Sequence, residues 1–166
     1  MIWFTVTAII IMVCFSGVLL FGAPYLPTLG PQVEAALKLA DLKSGQTLLE
    51  LGSGDGKVIV AAAKKGINVV GYELNPLLVV ISWLRTRKYR HNVTIIWGDF
   101  WQKTWPEHDA IFTFLLPKYM SKLDKKVMQS SPKKVKLISF AFAIPNKHIQ
   151  AQKHGVYLYI YDKMGK

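Results

Sequence analysis

The 166-residue chain reads as α/β: a Rossmann-like, doubly wound seven-strand sheet, mostly parallel, with a C-terminal antiparallel hairpin, preceded by one N-terminal transmembrane helix. Three observations predict this. A short apolar run, Thr47-Leu48-Leu49, leads into Glu50-Leu51-Gly52-Ser53-Gly54-Asp55-Gly56 and then a helical stretch, which is a strand, a tight glycine turn and a helix in succession. Apolar strand-like runs then alternate with helical ones, the pattern of a parallel sheet with crossover helices. The first 33 residues carry no charged side chain, and Ile2 to Gly22 is apolar apart from Thr, Ser and Gly.

The elements follow in order. An apolar run of about 20 residues matches the roughly 30 Å hydrocarbon thickness of a bilayer when helical. It is longer than a signal-peptide core and lacks a basic n-region, so a retained anchor over residues 1–23 is expected in place of a cleaved leader. Residues 24–31, rich in Pro and Gly, read as a linker, and residues 32–166 as one α/β domain. Val33, Ala36, Leu37 and Ala40 recur at helical spacing across Gln32–Ala40. Thr47–Leu49 is the first strand and Lys57–Lys65 the helix after the glycine turn. Asn68 to Tyr72, ending at Glu73, is the second strand. Asn75 then Pro76 is an N-cap followed by a first-turn proline, opening a helix to about Arg90. Val93–Trp97 and Asp109–Leu115 are the third and fourth strands, Tyr119–Met128 a helix, and Lys136–Ala143 the fifth strand. Ile149–Lys153 and Val156–Tyr161 form a hairpin about His154-Gly155.

The glycine turn decides the chemistry. A dinucleotide loop reads G-x-G-x-x-G, and here Lys57 stands where its third glycine belongs. A phosphate-binding P-loop needs Gly where Leu51 stands and Ser or Thr where Val58 stands. Neither phosphate motif fits. S-adenosylmethionine (SAM) has no phosphate. Its ammonium suits an acid at a strand end, Glu50, and its methionine portion can pass close to the backbone of Gly52, Ser53, Gly54, Asp55 and Gly56. Glu73, about 20 residues on, stands where such folds bind ribose hydroxyls, with Asn75 beside it. Asp99 and Phe100, after the third strand, can bond an adenine amino group and cover its ring. Each acid alone could be a solvated strand end or a turn cap; three at successive strand ends form a pattern.

On these residues the chain resembles class I, seven-strand SAM-dependent methyltransferases. More narrowly it is similar to the membrane-anchored protein-lysine methyltransferases of the mitochondrial ATP synthase c-subunit and the adenine nucleotide translocase, and their prokaryotic relatives. The stretches that carry the likeness are Pro24-Tyr25-Leu26-Pro27-Thr28, Gln32-Val33-Glu34, Leu51 to Lys57, Ala61-Ala62, Gly71-Tyr72-Glu73-Leu74-Asn75-Pro76, Asp99-Phe100-Trp101 and Phe114-Leu115-Leu116-Pro117. The resemblance implies SAM as the methyl donor and a protein lysine as acceptor. An acceptor lysine must first lose its proton, which a narrow aromatic channel favours by desolvation; Trp101, Phe114, Pro117 and Tyr119 are the candidates to line it, with Trp101 and Phe114 otherwise core aromatics. The resemblance implies an active-site cover from Tyr25, Pro27 and Thr28, where the residues alone allow a stiff spacer. The text Leu115-Leu116-Pro117-Lys118-Tyr119 lacks the Asn/Asp-Pro-Pro-Tyr/Phe motif of many amine methyltransferases, which argues against adenine or glutamine amide acceptors. A lipid or lipophilic acceptor, or a non-catalytic SAM-binding protein, stays open.

The net charge is +11, from 21 basic and 10 acidic residues. Arg85, Arg87, Lys88 and Arg90 form one cluster; Lys122, Lys125 and Lys126 a second; Lys133, Lys134 and Lys136 a third. With an anchor, these imply attraction to anionic headgroups and a domain held on the cytoplasmic side, or the matrix side of an organelle. No nucleic-acid motif is visible, and nucleic acid is not an expected partner. The single cysteine, Cys14, excludes an internal disulfide, and no metal-ligand spacing is present.

Overall fold

The computed structural model describes residues 2–7, 9, 26, 28–130 and 133–162. After a short helical segment, α1 (residues 2–7), the order is α2 (Gly30–Ala40), β1 (Thr47–Leu51), α3 (Lys57–Ala63), β2 (Asn68–Glu73), α4 (Pro76–Thr86), β3 (Val93–Trp97), β4 (Ala110–Thr113), α5 (Pro117–Ser130), β5 (Val135–Phe140), β6 (Ala151–Lys153) and β7 (Val156–Tyr161). The seven strands form one sheet in the order β3-β2-β1-β4-β5-β7-β6. β3, β2, β1, β4 and β5 run parallel, and β7 lies antiparallel between β5 and β6. The chain winds outward from β1 through β2 to β3, then returns to β4 on the other side of β1. That reversal opens a crevice beyond the carboxyl ends of β1 and β4, where open α/β sheets bind ligands.

Alternation along the strands divides the core in two. Leu48, Val69, Ala110, Phe112 and Ile138 face one way and pack with Val33, Leu37 and Ala40 of α2 and Val58, Ile59 and Ala62 of α3. Leu49, Leu51, Ile111 and Leu137 face the other way and pack with Met120, Leu123 and Val127 of α5. β1 and β4 carry the crevice and are buried almost throughout, so the site stands on the most rigid part of the sheet.

Several boundaries differ from the sequence reading, and three of them have a clear physical cause. The helix expected to reach Arg90 ends at Thr86 and tightens into a 3-10 turn over Arg87–Tyr89; the Thr86 hydroxyl donates to the carbonyl of Ser82 at 2.8 Å, the back-bonding that loosens a helix ladder. α5 begins at Pro117, two residues early, because a first-turn proline gives up no hydrogen bond. β5 stops at Phe140, since Ala141 takes φ 68° and its N–H turns to the carbonyl of Gly155 at 2.8 Å.

The expected N-terminal transmembrane helix is corrected. Among the described residues no helix is long and apolar enough to cross a membrane. Residues 2–7 rise only about 9 Å where a span needs about 20 residues. The remainder of the expected anchor, residues 1, 8 and 10–23, lies outside the described residues. The single-pass localisation, with its cytoplasmic or matrix-facing domain, was derived from that anchor and falls with it. Hydropathy reports affinity for an apolar phase and does not by itself make a continuous helix.

Candidate active site

β1 ends at Leu51, and the chain turns sharply into α3. The N–H groups of Gly52 and Ser53 both donate to the carbonyl of Tyr72, at 2.9 and 2.8 Å, which pins the turn to β2. Gly52 takes φ 92° with open space where a side chain would stand, so the backbone itself is the wall here. Gly56 is required for a second reason. It caps α3 at φ 78°, and a Cβ there would meet the Ser82 Oγ of α4 at 2.7 Å.

Four carboxylates stand at this end of the sheet, each in a different state. Glu50, in the middle of the sheet between Gly71 and Phe112, is buried. Its Oε2 has no hydrogen-bond partner. Burial, then the charges of Glu73 and Asp55, hold its carboxyl well above the ordinary range. Glu73 is also buried, and burial raises it too, partly offset by three backbone amides. Its Oε2 accepts from Gly54 N–H (2.8 Å), and its Oε1 accepts from Leu74 N–H (2.9 Å) and Asn75 N–H (2.8 Å). Asp55 bonds Arg85 of α4, with the Lys57 ammonium 3.8 Å away. Asp99 caps its own turn, accepting from Trp101 N–H at 2.9 Å and from the Gln102 amide at 3.1 Å.

Around them lies a cleft enclosing about 1130 Å³, open solvent at its mouth included. Of the residues predicted for cofactor and substrate, it brings together Glu50, Gly52, Ser53, Gly54, Asp55, Glu73, Asp99, Phe100, Trp101, Phe114 and Tyr119, with Thr28 of the expected cover. Gly56 and Asn75 stand outside the wall. Gly56 seats α3 against α4, and Asn75 caps α4 by accepting from Leu77 N–H at 2.9 Å. Pro117 is exposed at the start of α5 and does not line the cleft. Tyr25 and Pro27 lie outside the described residues. One wall is aromatic: Phe100 and Trp101 are 4.6 Å apart by centroid, and Trp101 and Tyr119 6.1 Å. Phe114 leans on Phe140 at 4.5 Å.

Sequence reasoning missed several lining residues, among them Leu26, Lys57, Tyr72, Leu78 and Phe112. Phe112 was within reach: the sequence reading runs the fourth strand to Leu115, and period-two alternation then puts Phe112 on the same face as Phe114. Tyr72 sits in a motif read only for its neighbour Glu73. Leu26 and Leu78 come from segments far apart in sequence, and no local signal places them.

Residues 50–151 match the profile of the ANTKMT methyltransferase domain. The match opens on Glu50 and covers the glycine turn, every carboxylate above and the aromatic wall. The chain belongs to this methyltransferase family. Among curated proteins it is 35% identical over 127 residues to the human lysine N-methyltransferase of the ATP synthase c-subunit, covering 74% of this chain and 53% of that one. It is 27% identical over 150 residues to a protein-lysine N-methyltransferase of Saccharolobus islandicus, covering 82% of this chain and 92% of that one. Among solved structures, an RNA methyltransferase from Salinibacter ruber in complex with S-adenosyl-L-homocysteine aligns with TM-score 0.75 at 26% identity, over 82% of this chain and 93% of that one. The chain spans about half the length of the human relative. The likeness carried by Leu51 to Lys57 and Gly71 to Pro76 therefore extends well beyond those motifs.

Proposed function

We propose that the chain binds SAM in this cleft and transfers its methyl group to a lysine amine of a protein. The observation that carries the reading is Glu50. A buried carboxylate with an unpartnered oxygen in a cleft wall needs a cation, and the SAM ammonium is one. The donor set fits the rest of the molecule. A carboxylate offers about four lone-pair sites. Glu73 keeps one free beyond its three amides and Asp99 two beyond its two donors, enough for a ribose hydroxyl and an adenine amino group. Phe100 offers a face for the base. Ser53 also lines the cleft, and its Oγ is buried without a hydrogen-bond partner. When bound, the group supplies an electrophilic methyl on a sulfonium sulfur.

The chain's own residues do the remainder. Trp101, Phe114 and Tyr119 form an apolar passage that removes water from an approaching ammonium. Desolvation lowers an amine's pKa and favours the neutral, nucleophilic form. The catalytic unit we assign is residues 32–166, with Leu26 and Thr28 completing the cleft wall from the preceding segment. The acceptor class is supported by the two curated relatives, both named for lysine methylation. An RNA acceptor is the second reading, favoured by the name of the solved relative.

The test is incubation of the purified chain with tritiated SAM and three acceptor pools: extracted protein, ribosomal RNA and lipid. Label in the protein pool, mapped to methyl-lysine by mass spectrometry, is the expected result. Label confined to RNA or to the organic extract, or no transfer at all, refutes the lysine reading.

A further inference from the structure

α5 carries Lys118, Lys122 and Lys126 at four-residue spacing, which puts them on one face. Each ammonium rests on an aromatic ring. The Lys118 Nζ lies 4.9 Å from the centroid of Tyr119, the Lys122 Nζ 4.3 Å from Trp101, and the Lys126 Nζ 5.0 Å from Trp105. Trp101 and Tyr119 line the cleft, so Lys118 and Lys122 stand at its lip, and Lys126 continues the row one turn further along the helix. It is built in: Lys126 also donates to the carbonyls of Trp101 (3.0 Å) and Lys103 (3.3 Å), tying α5 to the turn after Asp99. None of the three takes part in an ion pair among the described residues. Asp124, the acid on α5, is occupied by Lys147 at 2.8 Å and by the Tyr161 hydroxyl at 2.6 Å. The lip of the cleft is therefore a row of positive charge with no internal counter-charge among the described residues.

We infer that this row is the docking surface for carboxylates flanking the acceptor lysine of a protein substrate, an inference that rests on the lysine reading above. A bare ammonium approaching three others on a chain of net charge +11 is repelled. Acidic neighbours on the substrate cancel that repulsion and fix its register against the row. The same contacts decide between protein and nucleic acid. Single strands bind by stacking bases on exposed aromatic faces beside a basic track. Here the chain's own ammoniums cover the rings of Trp101 and Tyr119, which leaves charge on offer and takes stacking away.

The experiment uses two fluorescein-labelled peptides, each with one central Lys: two Glu on either side in the first, two Gln in the second. Anisotropy should show the Glu peptide binding roughly tenfold more tightly near 0.05 M salt, the size of two or three exposed ion pairs. That advantage should vanish near roughly 0.5 M salt, where the screening length is short. It should also vanish in the double variant Lys118→Glu, Lys122→Glu, whose calorimetric SAM binding stays at the wild-type value. Equal affinity for the two peptides, a preference surviving in the variant, or displacement of the Glu peptide by an equal concentration of single-stranded RNA overturns the docking assignment. Methylation of both peptides at equal kcat/KM overturns it while sparing the lysine reading. A Glu peptide that binds but is never methylated removes both.

Discussion

At the scale of single residues, Glu50 carries a conflict between stability and binding. It is buried in the middle of the sheet, beside two other carboxylates, with an oxygen left unpartnered. Its raised pKa means that the folded state holds a proton which the unfolded chain releases near the ordinary carboxylate pKa of about 4.3. Its contribution to stability is fully present below that value and is lost as pH rises through the elevated one. Glu50→Gln should therefore flatten the fall in the ligand-free melting temperature between mildly acidic and neutral pH. At neutral pH it should raise that temperature by roughly 2–4 °C for each kcal/mol relieved. The same change should weaken SAM binding by calorimetry roughly 10- to 100-fold, the loss of a charge-assisted hydrogen bond. A variant that melts lower, or binds SAM as wild type does, contradicts the role given to Glu50. The three acids at strand ends were legible in the sequence because their spacing follows the crossovers. That Asp55 bonds Arg85, and that Glu73 already holds three amides, could not be read: both depend on how α4 and the second crossover fold back on the first.

At the scale of elements, the joint between α3 and α4 is made of Gly56 and Ser82. A methyl at Gly56 would sit 2.7 Å from Ser82 Oγ and 3.3 Å from Ser82 Cα, in a backbone conformation unfavourable to side chains. Gly56→Ala should cost about 1–3 kcal/mol of unfolding free energy in urea titration. Adding Ser82→Ala should return part of the loss and leave the strain at φ 78°. Strict additivity of the two changes would show that the helices do not meet there. Elements were legible where local chemistry is decisive: Asn75-Pro76 starts α4, and His154-Gly155, with φ 49° and 73°, turns the β6–β7 hairpin. They were less legible where a tertiary contact decides. β5 gives way at Ala141 because its N–H is taken by Gly155 across the hairpin, and nothing in Lys136–Ala143 announces that. Lys122 and Lys126 of α5 read as part of a basic cluster drawn to anionic headgroups, and only folding brings Trp101 and Trp105 beneath them.

At the scale of the whole molecule, the sheet order places the cleft at the switch between β1 and β4, and the absence of both phosphate motifs predicts which nucleoside enters it. SAM at 100 times its dissociation constant should stabilise the fold by about 2.7 kcal/mol, a rise in melting temperature of roughly 5–10 °C. NAD at the same concentration should leave it unchanged; a shift with NAD and none with SAM would overturn the cofactor choice. The N-terminal run taught the opposite lesson to the glycine turn. Its length and hydropathy are global sums with no positional content, whereas the turn is fixed residue by residue. Glu73 joins those scales in one further way. Its two oxygens hold Gly54 on the first crossover and Leu74 and Asn75 on the second. One carboxylate is thus the latch of two loops, so loosening either strips a partner from the other. A guest that steadies one side of the cleft therefore steadies both.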